Sequence, residues 1–86
     1  MHFVYILHSL KDKKFYIGFT SGLEKRLAKH FQGEVEATKN RLPLHLIYYE
    51  AYCNKKDAKG REKFLKGGSG HKYLKKQLEH YLNEFS

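Results

Sequence analysis

The chain has 86 residues, room for a single domain (1–86), and a chain that short buries only about 60% of its unfolded surface on folding. Seventeen Lys and Arg oppose nine Asp and Glu, a formal charge of +8 that favours a polyanionic partner, nucleic acid or an anionic surface. One cysteine, Cys53, excludes an internal disulfide and a thiolate-rich zinc site, so a reducing, cytoplasmic setting is expected, with Cys53 as a small half-buried residue at a strand end. The longest apolar run near the start, Phe3–Leu7, is far short of the ~20 residues of a membrane span, so no membrane partner is expected.

Phe3–Thr20 reads FVYILHSLKDKKFYIGFT: two apolar runs around the polar stretch Ser9–Lys14, the pattern of an antiparallel hairpin. Alternation puts Val4, Ile6, Phe15, Ile17 and Phe19 on one face and Tyr5 and Tyr16 on the other. Gly18 shares the tyrosine face, where a bare backbone would admit a ligand. Both tyrosines also suit half-buried strand positions with no function at all.

Val4-Tyr5-Ile6, followed by Tyr16-Ile17-Gly18 with eleven positions between the tyrosines, resembles the paired signature of the GIY-YIG nuclease family. Valine stands where the name-giving glycine would be, and FVYIL resembles the small, single-domain branch related to the excinuclease nuclease domain. The likeness runs from Phe3 to about Lys76.

Ser21-Gly22-Leu23-Glu24 reads as a capping box, opening a helix that runs to about Gln32 and stops at Gly33. Leu23, Leu27 and Phe31 form its expected buried stripe, with Arg26 and His30 on the shoulder. A shoulder arginine can grip phosphate through two parallel hydrogen bonds or simply form a surface ion pair. LEKRLAKHFQG resembles the family's helix after YIG, which implies that Arg26 contacts the scissile phosphate and that His30 is the histidine one turn later.

Glu34–Pro43 reads as a loop, with Thr38-Lys39-Asn40-Arg41 a polar, basic strip that could follow a nucleic-acid backbone. Leu44–Tyr52 is the third strand; apolar residues on both its sides suggest a central position, and Tyr48, Tyr49 and Tyr52 suit core packing better than base stacking. Asn54 caps a second helix ending at Lys66, in which Ala58, Glu62 and Leu65 share a side. A carboxylate in an inward stripe wants a cation. Either Mg²⁺ or Lys66 one turn on supplies it. Arg61–Gly67 resembles the family's metal segment, which implies that Glu62 holds a single Mg²⁺ (or Mn²⁺).

Gly60 inside that helix hints at close helix contact, and Gly67-Gly68-Ser69-Gly70 at a tight turn. Relatives tend to carry an aromatic and an arginine where Gly68 and Gly70 stand here, so a packing contact and a phosphate contact are missing. His71–Phe85 is expected as one last helix with Leu74, Leu78, Leu82 and Phe85 inward.

The expected architecture is α/β: a small three-stranded antiparallel sheet flanked by helices. The resemblance implies a Mg²⁺-dependent endonuclease acting on nucleic acid, DNA in the first instance, in repair or recombination. Its implied catalytic residues are Tyr5, Tyr16, Arg26, His30 and Glu62, with Lys39, Arg41, Lys66 and Lys72 as candidate backbone contacts. Which of Tyr5, Tyr16 and His30 would serve as the base stays open: a tyrosine, ordinarily near pKa 10, needs a cation beside it, whereas histidine titrates near 6.5. The rival readings are a non-cleaving nucleic-acid-binding module on the same fold and an interaction protein that contacts RNA or another protein.

Overall fold

The computed structural model describes residues 1–85. Three strands, β1 (His2–Ser9), β2 (Phe15–Thr20) and β3 (Leu44–Tyr52), form one antiparallel sheet in the order β2-β1-β3. The central strand is therefore β1, buried continuously from Val4 to Ser9, and β3 lies at an edge rather than in the middle. The mixed apolar pattern of β3 has a different cause. Ile6 pairs with Tyr48 but Leu7 with Leu46, so Ile47 is an extra residue at a bulge, and the side chains change face there.

The two faces of the sheet divide as the alternation requires. Val4, Ile6 and Ile17 pack with Ala58, Leu65 and Leu74 of helices α2 (Lys55–Lys66) and α3 (Gly68–Gln77). Tyr5 and Leu7 pack with Leu44, Leu23 and Leu27, the last two on helix α1 (Leu23–Phe31). Helix α4 (Glu79–Phe85) follows after a break at Leu78, so the expected single terminal helix is two. Phe85 does not point inward; it stays 46% exposed, its ring against those of His8, His45 and Tyr81.

Helix α1 forms without the capping box. Gly22 is its N-cap, with no side-chain cap bond, and Thr20 Oγ1 accepts from the Gly22 amide at 3.1 Å. Its end is as expected, Gly33 taking the left-handed conformation at φ 77°. The buried stripe is not Leu23, Leu27, Phe31. Each step of four overshoots a full turn by about 40°, so Phe31 rotates out to solvent and the seventh position on from Leu23 comes in. That position is His30, which is fully buried.

Asn54 caps α2 as expected, its Oδ1 accepting from the Lys56 amide at 2.8 Å. Glu50 of β3 secures the same helix. Arg61 reaches its two carboxylate oxygens at 3.0 and 3.1 Å, and the Tyr48 and Tyr52 hydroxyls each donate to it at 2.6 Å. Arg61 also lies 4.6 Å over the Tyr73 ring of α3. Tyr48 and Tyr52 are thus packed and bonded, whereas Tyr49 is exposed on the opposite face. Cys53 is exposed rather than half-buried, its Sγ 3.9 Å from Met1 Sδ.

The close helix contact belongs to Gly70, not Gly60. Gly67 alone breaks α2 from α3, and Gly70 lies buried inside α3, where a Cβ would collide with the Phe64 carbonyl and the Leu65 backbone. An arginine at that position has no room in this packing. Gly60 faces open space. Gly60→Ala should therefore stabilise the protein by about 0.5–1 kcal/mol through helix propensity alone. Gly70→Ala should cost about 1–3 kcal/mol by overpacking. Urea unfolding of the two variants checks the pair, and equal effects would refute the assignment.

Candidate active site

Strand β1 carries Tyr5 across the middle of the sheet, between Gly18 of β2 and Tyr49 of β3. A Cβ on Gly18 would run into the Tyr5 ring and hydroxyl. The glycine therefore makes room for the protein's own tyrosine rather than for a ligand.

The Tyr5 hydroxyl lies 2.7 Å from His30 Nε2, and His30 Nδ1 lies 2.8 Å from Thr38 Oγ1. None of the three residues has exposed surface. The Arg26 guanidinium, one turn before His30, lies beside the Tyr5 and Tyr16 hydroxyls, and its pKa is raised chiefly by its hydrogen bond to Tyr5. Burial pushes the Tyr5 pKa up, against that bond. Burial first, and then the Arg26 charge, push His30 down to about 4, so its imidazole is neutral at pH 7.

These facts assign the proton positions. A guanidinium only donates, so with the Arg26 charge beside it Tyr5 Oη turns its lone pair towards Arg26 and its proton towards His30 Nε2. A neutral imidazole has one N–H, which then sits on Nδ1 and donates to Thr38. The line Thr38–His30–Tyr5–Arg26 is a buried chain ending in a cation, and Tyr16 completes it from β2. Tyr16 is only half-buried, its ring centroid 5.1 Å from that of His30 and 6.3 Å from that of Tyr5. His30 cannot itself touch an attacking water: both its nitrogens are engaged and it is enclosed. Thr38, read from the sequence only as part of a surface strip, is an interior residue. Nothing local in the sequence marks it.

Glu62 of α2 approaches from the other side of the sheet, and its charge contributes to the raised Tyr5 pKa. Its side chain is 14% exposed and forms ion pairs with Lys66 at 3.0 Å and Lys59 at 3.6 Å. Glu50 offers no second carboxylate, being consumed by Arg61, Tyr48 and Tyr52. Among the described residues no group of three or more His, Cys, Asp or Glu side chains could hold a metal ion. A closed, all-protein cage is thus absent. One mostly buried carboxylate does suit an ion that keeps waters and phosphate oxygens as its remaining ligands.

The four candidate backbone contacts are scattered. Lys66 is drawn to Glu62, Lys39 pairs with Glu36 at 3.0 Å, and Lys72 is exposed on α3. Arg41 is tied down, with Nε 2.6 Å from Asp12 and Nη2 3.3 Å from the Phe15 carbonyl.

A strand-borne pair of tyrosines, an arginine and histidine on the following helix and a lone glutamate on the next are thus brought to one region of the fold. The chain belongs to the GIY-YIG family, whose catalytic domain matches residues 1–78. Membership makes nucleic acid its substrate. Similar proteins include a UPF0213 protein of Clostridium perfringens, 42% identical over 67 residues, which are 77% of this chain and 71% of that one. A second, from Bacillus licheniformis, is 36% identical over 84 residues (96% of this chain, 80% of that one), and a third, from Lactococcus lactis, 43% identical over 77 (88% and 69%). None of these names states an activity. No solved structure matches the chain. No helix among the described residues is long and apolar enough to cross a membrane.

The buried neutral His30 has a measurable consequence. Its pKa falls from 6.5 in the unfolded chain to about 4 in the fold, so between those values the unfolded chain binds more protons. Stability attributable to His30 is full above pH 6.5, is lost as the pH falls towards 4, and changes no further below that. Urea unfolding across this window should show a steeper loss for the wild type than for His30→Gln. Parallel pH profiles would mean that His30 is not held neutral.

Proposed function

We propose that the domain is a divalent-metal-dependent endonuclease that hydrolyses DNA phosphodiester bonds, serving repair or recombination. The observation that carries this reading is the Arg26 guanidinium, held against the Tyr5 and Tyr16 hydroxyls at the end of a buried hydrogen-bond chain, with the Glu62 charge within reach. Such a cation, oriented in advance, stabilises charge growing on the non-bridging phosphate oxygens without reorganising at the moment of reaction.

Tyr16 is the base. Tyr5 and His30 are enclosed, whereas the Tyr16 ring is partly exposed and its hydroxyl adjoins Arg26. It orients the attacking water and takes its proton as the new oxygen–phosphorus bond forms and the leaving oxygen departs. Tyr5 and His30 hold Arg26, and Thr38 holds His30. Glu62 is the residue to bind Mg²⁺ or Mn²⁺, which when bound supplies Lewis-acid polarisation of a phosphoryl oxygen. An ion there competes with Lys59 and Lys66, whose ammonium groups now share the carboxylate. The strip carrying Lys39 follows directly on Thr38 and so borders the site; with Arg41, Lys66 and Lys72 it contributes attraction for the backbone.

Nicking of supercoiled plasmid, with Mg²⁺ and with EDTA, tests the reading directly. In Glu62→Gln cleavage should disappear and binding persist, and the Mg²⁺-dependent rise in melting temperature should vanish. Stability without metal should change by only about 0.5 kcal/mol, because the lysine pairs it loses are half in solvent. A wild type that neither nicks nor responds to Mg²⁺ would instead be a non-cleaving binding module.

Tyr16→Phe and Tyr5→Phe should part company. The first should lower cleavage by about 10²-fold or more with melting almost unchanged. The second should cost about 1–3 kcal/mol, since it leaves the buried His30 Nε2 without a partner. Full activity in Tyr16→Phe would move the base elsewhere.

A further inference from the structure

Beside the β1–β2 turn, on the sheet face that packs against α2 and α3, lies a cavity of about 400 Å³, lined by Lys13, Lys14, Phe15, His71, Lys75 and Leu82. Its volume falls within the range that takes a small ligand. No acidic side chain lines it. Asp12, the acid next in sequence, is already neutralised by Arg41 at 2.6 Å. Three lysines and a histidine therefore surround an apolar floor made by an aromatic ring and a leucine. Lysine ammoniums hold phosphate as point charges, and a base of any identity stacks on an aromatic side chain.

Lys13 has a φ of 62°, a conformation that glycine or asparagine adopts more readily. The turn closes through backbone bonds alone, Lys13 N to the Ser9 carbonyl at 2.9 Å and Ser9 N to the Lys14 carbonyl at 3.0 Å. Its side chain is not needed to build the turn, and what it adds is charge at the cavity.

The cavity adjoins the β2 edge on the sheet face opposite Tyr5 and Tyr16. Phe15 opens β2, an edge strand, and Tyr16 is the next residue with its side chain on the other face, so a strand crossing that edge passes from the cavity to the site.

We propose that this cavity receives an unpaired nucleotide of the substrate strand, its phosphate between Lys13 and Lys75 and its base against Phe15. The proposal rests on the nuclease reading for the identity of the ligand and adds its class: nucleic acid with a single-stranded segment beside the cut. A paired base is stacked inside the duplex and cannot enter, so duplex phosphates meet these lysines only from outside.

The test uses the full chain in EDTA, so that nothing is cut. Fluorescence anisotropy measures its affinity for a labelled oligothymidylate and for a hairpin duplex without unpaired ends. Lys13→Gly with Lys75→Gln removes two cavity charges and relieves the turn backbone, so folding is preserved. Lys55→Gln with Lys56→Gln removes two exposed charges at the start of α2 and serves as the control. The cavity variant should lose about tenfold in oligothymidylate affinity and no more than the control does on the duplex. Equal losses on both nucleic acids, or no loss beyond the control, would overturn the proposal. Plasmid nicking with Mg²⁺ separates the two readings. A wild type that cuts without this single-strand preference loses only the cavity proposal, and one that shows the preference but cuts nothing loses only the nuclease reading.

Discussion

A tyrosine hydroxyl buried at the centre of a sheet must have a partner, and the hydrogen bond from Tyr5 to His30 meets that demand. Much else follows from it. Gly18 must be bare for the ring to pass. His30 must stay neutral to accept, which its burial and the adjacent Arg26 enforce. Thr38 must take the proton on the other nitrogen, and that anchors the segment between α1 and β3 to the interior although it has no regular structure of its own. Arg26 then lies with its guanidinium beside the Tyr5 and Tyr16 hydroxyls. A single polar group in the wrong medium thus orders a strand, a helix and a loop, and leaves a cation facing outward at their junction.

The opposite face is ordered by a second polar group, Glu50. An ion pair that is mostly out of solvent adds little net stability, since desolvation offsets most of the attraction, but it tolerates few geometries. Arg61 meets Glu50 through two bonds and rests on Tyr73, so the rotation of α2 about its axis is set. Glu62 is the next residue, and its direction is set with it. The two networks are thus independent devices, one per face, and each aims one charged group: a guanidinium from α1 and a carboxylate from α2.

The charge balance acquires a structural meaning in this setting. Asp12, Glu36, Glu50, Glu62 and Glu79 are each held by a lysine or arginine. Acidic groups are thereby neutralised locally, and the surplus lysines set the outer field. Positive charge flanks the start of β2 on both faces of the sheet, Arg26 beside Tyr16 on one and the lysines around Phe15 on the other. Steering by such charge acts over about a Debye length and weakens with salt.

The sequence by itself determined the hairpin, the third strand, the division of apolar residues between two sheet faces, the Asn54 cap and the stop at Gly33. All of these are written in local alternation, spacing and backbone preference, which act over a few neighbouring residues. The family was legible for the same reason, because its tyrosines stand at a fixed strand spacing. Only the tertiary structure decided that His30 is enclosed while Phe31 is not, that Thr38 is an interior hydrogen-bond partner, that β3 is an edge strand and that Gly70 rather than Gly60 marks the helix crossing. These depend on groups that meet only in the fold: Tyr5 and His30 are 25 positions apart, His30 and Thr38 are eight apart, and Gly70 meets the Phe64 and Leu65 backbone across the helix break. A periodicity says which residues share a side of one element. It does not say what lies opposite, and for a buried polar group the partner opposite decides everything.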